Sequence, residues 1–559
     1  MISNGEAASL LRTLAELMML HGEDDRASKS FSVAAFQMSG LTRNVVEMDK
    51  GELQKIFNSM VVSKIEEIKA TSAIQMLDEL IQLTPAGIFE MMRIKGLGGK
   101  KLAVLWKQAG IDHMDVLLKA CRNNEVAQFK GFGEKTQQNI IKAIDYYKSN
   151  AGRFHFATIE DEADKITELL RRIFKTDKIS LCGDVRRKCN IVERIEIVCA
   201  LTEKQFNAEK PALGFLIIEA SSTAGIKGHT LNEIPFTIYL IPGPDYYFEL
   251  FLRTGNEAHT KKMISRIKQR SKSCQSEQDF YTAAGMPYII PELRENVAEW
   301  KFTTQKKLDS LVAVKDIRGL VHNHTTWSDG IDTLKNFVIA AKEKGFEYVV
   351  ISDHSKNAHY AGGLSEEKII RQLGEIESLN SKLAPFKIFK SIESDILISG
   401  DLDYSNDFLK RFDLVIISVH QLLKMDEEKA TRRLLKAIEN PYTTILGHLT
   451  GRKLLIRKGY PVNYKKIIDA CAENNVVIEI NANPYRLDMD WSHIPYAIKK
   501  GVMISVNPDA HSIGEIENIY YGVISARKGG LTRDMTWNAM PLKEIEKWLK
   551  ERRVIKGLD

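Results

Sequence analysis

Thirteen histidines occur in the 559 residues. Eight of them lie after residue 310, and six of those eight sit where an apolar run ends, beside carboxylates. The run ending at Val321 leads to His322 and His324, with Asp329 five residues on; Tyr348 to Ser352 leads to Asp353 and His354. Lys387 to Phe389 leads to Glu393, Leu414 to Val419 to His420, Thr443 to Gly447 to His448, and Val502 to Val506 to Asp509 and His511. Imidazole and carboxylate together are the donor set of a divalent-metal site. Alternate side chains of a strand face the same way, so a strand continuing through His324 turns His322 and His324 to one face. Taken singly, each histidine is as readily a buried structural residue or a surface one; recurrence at nearly every run end is what points to a cluster. Such a cluster would hold divalent metal ions. Cys121, Cys182, Cys189, Cys199, Cys274 and Cys471 show no CxxC spacing, which argues against a closed thiolate zinc site and against a disulfide framework.

The elements that must position these residues follow from the pattern around them. Apolar runs end at Val321, Ile351, Ile392, Ser418, Leu446, Ile480 and Val506, and helical patterns such as Leu334 to Lys344, Glu366 to Leu379 and Lys465 to Glu473 lie between them. Seven strand-helix units predict a barrel of parallel strands, whose chemistry gathers at the C-terminal strand ends.

The first 300 residues carry different signals. Ala7 to Leu20, Ala34 to Met38, Leu53 to Ile68 and Ser72 to Leu83 have helical spacing. Two glycine turns follow about 35 residues apart, Gly96-Leu97-Gly98-Gly99-Lys100 and Gly131-Phe132-Gly133-Glu134-Lys135, each opening a helical pattern. Glycine lets backbone amides approach a phosphate, the helix N-terminus adds positive dipole, and lysine adds charge. Residues 151–300 then mix strands (Ile179 to Cys182, Arg194 to Val198, Phe236 to Ile241, with Tyr247 to Leu252 a further strand candidate) with a helix from Glu160 to Phe174. The Pro-punctuated stretch Met286 to Glu295 reads as a linker.

These stretches resemble known families. The glycine turns resemble helix-hairpin-helix motifs, which bind the DNA backbone without reading sequence; Gly96, Gly98, Lys100, Gly131, Gly133 and Lys135 are the implied DNA contacts. Residues 151–300 resemble a nucleotidyltransferase palm, in which a Gly-Ser turn and an Arg pair precede a strand with an Asp-x-Asp pair, and a later strand bears a third Asp. Here those positions hold Asp184 after Gly183, the arginines Arg186 and Arg187, then Arg194, Glu196 and Tyr239. An arginine in the site repels both magnesium ions and one glutamate cannot hold them, so the palm is expected to keep the fold and lose nucleotidyl transfer; Asp245 and Glu249 are nearby carboxylates read as solvated. The C-terminal motifs, His-x-His-x4-Asp, Asp-His, the Glu of Ile-Glu-Ser-Asp, Ser-Val-His, Gly-His and Asp-Ala-His, resemble the PHP phosphoesterase domain. That resemblance implies nine residues holding three ions: His322, His324, Asp329, His354, Glu393, His420, His448, Asp509 and His511. The ions implied are manganese or zinc, with iron also suited. Asp395 is a candidate to orient a ligand, Arg452 to contact phosphate, and Lys356 and His359 to line the substrate groove.

The whole order resembles bacterial X-family DNA polymerases with a C-terminal PHP domain. It implies an N-terminal helical domain (1–85), a helix-hairpin-helix region (86–150), a degenerate palm and thumb (151–300) and a PHP domain (301–559). The fold class expected is multidomain α+β and α/β with a seven-stranded PHP barrel. The expected activity is a metal-dependent 3'-5' exonuclease or DNA-end-processing phosphoesterase in DNA repair, with gapped, nicked or 3'-ended DNA as partner. The catalytic positions are His322, His324, Glu393, Asp509 and Arg452. Two further readings stand beside it: a working X-family polymerase with proofreading, and a DNA-binding scaffold with structural metals. The family's first hairpin is replaced by the glycine-free Ile56 to Val62, which implies weaker hold on a 5'-phosphate. Composition agrees with a soluble chain: 44% hydrophobic, 27% charged and a net charge of +6, which permits a polyanionic partner. No apolar run reaches membrane-spanning length, and Met1 to Glu6 lacks a basic region before an apolar stretch. The expectation is a cytoplasmic monomer with reduced thiols.

Overall fold

A computed structural model describes residues 2–558 other than 3, 40, 42, 95, 223–224 and 268–273. Lys95, in the first glycine turn, lies outside the described residues. The chain divides into two compact units, Met1–Ala151 and Gly152–Asp559.

The first unit is helical and is built on one core running from Ala7 to Ile144. Helix Asn4–His21 buries Ala7, Leu11, Leu14, Ala15 and Met18, the i, i+3, i+4 stripe of an amphipathic helix. The expected helix Leu53 to Ile68 is instead two, Lys50–Gln54 and Ser59–Thr71. Asn58 makes the break: its side chain accepts from Val61 N and caps the second helix. The Ile56 to Val62 turn therefore offers a helix end that is already satisfied.

The two glycine turns have the same geometry. Gly96 and Gly131 take φ of 94° and 93°, a region open to glycine and strained for other residues. Gly98 and Gly133 are the N-caps of helices Gly99–Lys107 and Glu134–Ser149, and neither helix has a side-chain cap. Leu97 and Phe132, between the glycines, are buried in the core. The apolar residue anchors each turn and leaves Gly96, Gly98, Gly131 and Gly133 exposed.

The second unit begins with a pair, β1 (Phe154–His155) and β3 (Ile191–Val192). A five-stranded sheet follows, made of β2 (Ile179–Cys182), β4 (Ile195–Cys199), β5 (Leu216–Ser222), β6 (Gly225–Thr230) and β7 (Pro235–Leu240) in the order β2-β4-β7-β6-β5. Only β4 and β7 are parallel. The segment expected as a strand at Tyr247 to Leu252 is helix Tyr246–Thr254. Its aromatic run fits either period, and burial of Tyr246, Leu250 and Thr254 at fourfold spacing decides it. The expected linker Met286 to Glu295 is core: Met286, Ile289 and Leu293 pack with Phe251, Phe280 and Tyr281. Arg294 is fully buried there, 2.8 Å from Glu277, which also pairs with Arg186. Burial opposes charge on Glu277, but Arg294 and Arg186 outweigh it and hold the carboxyl below its usual range. The stabilisation is therefore complete above the ordinary carboxylate pKa and is lost as pH falls through the depressed one. Glu277→Gln leaves Arg294 without its partner and is expected to cost about 3–5 kcal/mol in urea denaturation.

The remaining strands are all parallel. They are β8 (Gly319–Asn323), β9 (Tyr348–Ile351), β10 (Lys387–Lys390), β11 (Glu393–Asp395), β12 (Val415–Ser418), β13 (Thr443–Leu446), β14 (Val477–Asn481) and β15 (Ile504–Asn507). They form sheets in the orders β10-β9-β8 and β11-β12-β13-β14-β15. The seven apolar runs of the sequence fall on these strands, the third split into β10 and β11. Single bridges join His354 to Glu393 and Asn323 to Ala510 across the sheet edges. Helices Leu334–Glu343, Glu366–Leu383, Glu427–Glu439 and Tyr464–Glu473 connect successive strands, the crossover that parallel pairing requires. Helix Ile519–Lys528 carries the buried Lys528, which donates to Arg187 O (2.6 Å) and Glu295 (2.9 Å) and so ties this region to the five-stranded sheet's flank. Among the described residues, no helix is long and apolar enough to cross a membrane.

Candidate metal centre

The parallel strands all end on one side, and their last residues converge. β8 does not run on through His324. Its register with β9 shifts between Leu320 and Asn323, and His322 takes φ 65°. This bulge, not simple alternation, aims both imidazoles at one place. Gly330 completes the loop: a Cβ there would lie 2.5 Å from His324 C and O and from Thr325 N. Only glycine lets the chain fold back this closely onto its own strand end.

Glu393, at the start of β11, is the hub. His322 Nε2 (3.2 Å), His420 Nε2 (3.1 Å) and His448 Nε2 (3.0 Å) surround its Oε1, and His354 Nδ1 (2.8 Å) meets its Oε2. His324 Nε2 lies 3.2 Å from Asp509 Oδ1. Asp329 Oδ1 faces His354 Nε2 (3.6 Å) and His511 Nε2 (3.5 Å). All nine residues singled out from the sequence fall into four overlapping groups: His324, Asp329, His354, His511; His322, Glu393, His448; His322, His324, Asp509; and His354, Glu393, His420. Within each group the donor atoms lie within 4.8 Å of one another.

Several of the cluster's buried polar atoms are not hydrogen-bonded. His322 Nε2, both ring nitrogens of His324, His354 Nδ1, His448 Nδ1 and both Glu393 oxygens are buried with no hydrogen-bond partner. A buried polar atom left unpaired costs about 1–3 kcal/mol, so this concentration of them fits a site built to receive cations. The electrostatics agree. Burial opposes charge on Glu393 and Asp509, yet the surrounding histidines hold both well below the carboxylate range. His354 and His511 are pushed up to about 10 and about 9: burial works against their charge, but Glu393 and Asp329 outweigh it for His354 and Asp329 and Asp509 for His511. His324 goes down to about 3, by burial first and then by His511 and His354. The cluster draws positive charge inward.

Around the nine lies a layer that fixes their rings. His322 Nδ1 donates to Glu479 Oε2 (2.6 Å), and Glu479 also accepts from His448 N, Asn481 Nδ2 and Asn507 Nδ2. Asp395 lies against His420 Nδ1 and accepts from Asn357 Nδ2. Asp353 accepts from Thr325 N, Ser328 N and Gln372 Nε2, which pins the loop between His324 and Asp329. Such partners set tautomer and ring orientation. Glu479 was missed in the sequence, although it interrupts Val477-Ile478-Glu479-Ile480-Asn481 with a charge on the face of an otherwise apolar strand. Glu479→Gln is expected to weaken metal binding roughly 10–100-fold, read by metal titration of the apoprotein.

A cleft of about 650 Å³ opens over the cluster, lined by Asp329, His354, His420, His448, Asp509 and His511 together with Tyr360, Tyr485, Lys453, Arg457 and Arg486. Arg452 is not among the lining residues. Its guanidinium donates to Asp490 (2.7 Å) and to the carbonyls of Arg486 and Leu487, so it braces a loop and does not face phosphate. Arg486, 3.7 Å from Asp509, takes the position expected of it. Lys356 pairs with Glu366 (3.8 Å) and His359 is exposed outside the cleft; their loop contributes Tyr360 instead.

A family model for the PHP domain matches residues 321–483. The DNA polymerase/3'-5' exonuclease PolX of Bacillus subtilis is 31% identical over 97% of this chain and 98% of its own length. The chain belongs to the bacterial PolX family. Probable phosphatases of Thermoanaerobacter sp. (strain X514) and Caldanaerobacter subterraneus are 28% and 26% identical over 42% of this chain, covering 94% and 91% of their own lengths. In this PolX-family chain the positions that the sequence reading assigned to a palm are engaged with one another. Glu196 accepts from Tyr239 Oη (2.8 Å), and the Arg253 guanidinium lies 3.8 Å from the centre of the Tyr239 ring. Arg187 pairs with Asp184 and Glu295, and Arg186 donates to Thr254 and Glu277. Arg194 is exposed. Among the described residues, no palm group of three metal-type side chains forms.

Proposed function

We propose that the protein is a metal-dependent phosphoesterase acting on DNA ends, a 3'-5' exonuclease or end-processing enzyme of DNA repair, whose palm does not transfer nucleotides. The observation that carries it is the set of nine converging side chains with its unpaired buried donor atoms under a cleft edged by cations. The nine would hold three divalent ions, manganese, zinc or iron, and strands β8 to β15 would close a seven-stranded barrel through the two edge bridges. Bound ions supply an activated water and charge neutralisation on the phosphate.

The chain's own residues do the rest. Glu479 and Asp395 accept hydrogen bonds from Nδ1 of His322 and His420, which keeps the proton on Nδ1 and each Nε2 lone pair aimed at the centre. Asp353 and Gly330 hold the loop that presents Asp329. Arg486, Arg457 and Lys453 attract the phosphate backbone at the cleft. The glycine turns at Gly96, Gly98 and Lys100, and at Gly131, Gly133 and Lys135, offer uncapped helix N-termini to duplex phosphates. In the palm, one glutamate bound to Tyr239 cannot hold two cations, and Arg186 and Arg187 are already paired.

The test uses gapped DNA with a 5'-labelled primer. Manganese is expected to support stepwise shortening of the primer from its 3' end, chelation to stop it, and His322→Ala with His324→Ala to remove it. Shortening that survives the double substitution would place the activity elsewhere.

A further inference from the structure

We propose that the cleft over the metal centre grips single-stranded DNA by stacking a terminal nucleobase on Tyr485, and that the palm takes part by holding the Tyr485 ring with His155. The proposal rests on the phosphoesterase reading above and specifies how its site selects a nucleic acid over a small phosphate ester.

The cleft is larger and less polar at its rim than a phosphate group requires. Its volume of about 650 Å³ is in the range of pockets that enclose a whole ligand. Tyr485 and Tyr360 line it and are 44% and 67% exposed. Large rings left in water beside a cationic cleft are the arrangement that holds single strands: charge tracks the backbone, and aromatic faces take the bases whatever their sequence. A small phosphate ester has nothing to set against these rings.

Tyr485 is held in place on three sides. Its backbone N donates to Asn483 Oδ1 (3.0 Å) and its carbonyl accepts from Leu454 N (2.7 Å). Its ring is T-shaped to that of His155, with centroids 4.7 Å apart and planes at 75°. His155 belongs to β1, in the palm half of the sequence, and its Nε2 donates to Leu454 O (3.0 Å). His155, Leu454 and Tyr485 thus close a ring of contacts that fixes the rim before any ligand arrives, and a preordered aromatic loses little freedom on binding. The next residue is Arg486, which reaches Asp509. Consecutive residues therefore offer a base-sized ring and a phosphate-seeking guanidinium at the same edge of the metal centre. The palm, without its own chemistry, gains a part in positioning the strand.

The experiment compares two substrates on the full-length, metal-loaded protein: a single-stranded oligonucleotide and glycerol 2-phosphate, a small ester without a ring. Tyr485→Ala is expected to lower kcat/KM on the oligonucleotide about tenfold relative to the small ester, mostly through KM. Tyr485→Phe keeps the ratio, Tyr485→Leu loses it like alanine, and His155→Ala lowers it severalfold. An unchanged ratio in Tyr485→Ala overturns the proposal. So does a ratio lost in Tyr485→Phe, which would mark the hydroxyl as the functional group, or one kept in Tyr485→Leu, which would mark bulk alone. A wild-type protein that hydrolyses the small ester and leaves the oligonucleotide intact overturns the DNA-end reading itself, and this inference with it.

Discussion

Glu393→Gln is expected to reduce phosphoester hydrolysis on the order of a thousandfold and to lower the metal content of the purified protein. Glu393 is buried among His322, His354, His420 and His448, each within 3.2 Å of one of its oxygens. The substitution keeps the side chain's shape and removes its charge. It also turns one oxygen into an amide donor that faces imidazole nitrogens. A bound cation would then lose a ligand and the negative charge that balanced it, which at a side chain as buried as Glu393 is a loss of several kcal/mol. Elemental analysis and hydrolysis of a small phosphodiester measure the two effects separately. Full metal content with lost activity would give Glu393 a role at the reacting phosphate. Retained activity would remove it from the centre.

On gapped DNA with all four deoxynucleotides and manganese, no primer extension is expected, while the same primer shortens. Nucleotidyl transfer needs carboxylates that hold two cations in line with the primer end. Residues 151–300 offer Glu196, whose oxygen is taken by Tyr239, and Asp184, which is paired to Arg187. Arg253 lies against Tyr239 and adds a positive charge where cations would have to sit. The arginines that would greet a triphosphate are committed to Glu277 and Glu295. Incorporation of even one nucleotide, unaffected by His322→Ala, would sink the inactive-palm reading. The PolX relative in Bacillus subtilis carries both polymerase and exonuclease in its name, so the assay discriminates between two outcomes that the family allows.

The nine cluster residues were legible in the sequence because their logic is local. A parallel strand followed by a crossover helix puts every strand end on one side, so polar residues at successive run ends must meet. The glycine turns were legible for the same reason: a glycine with φ near 94° and a second glycine opening a helix are consequences of neighbouring residues alone. What long-range packing decides was not legible. Arg452 and Arg486 are both arginines of loops beside the cluster. Only the fold shows that Asp490 and two carbonyls consume the first and leave the second at the cleft. Tyr247 to Leu252 reads as a strand until the helical spacing of its buried face is known. The Met286 to Glu295 stretch looks like a linker until Arg294 finds Glu277. The sequence by itself determined the metal-type residues and their order, since donor type and strand-end position are properties of short segments. Tertiary structure alone decided the bulge that aims His322, which depends on pairing with β9, and also the Glu479 that orients it and the His155 that meets Tyr485, which depend on atoms brought together from more than a hundred residues apart.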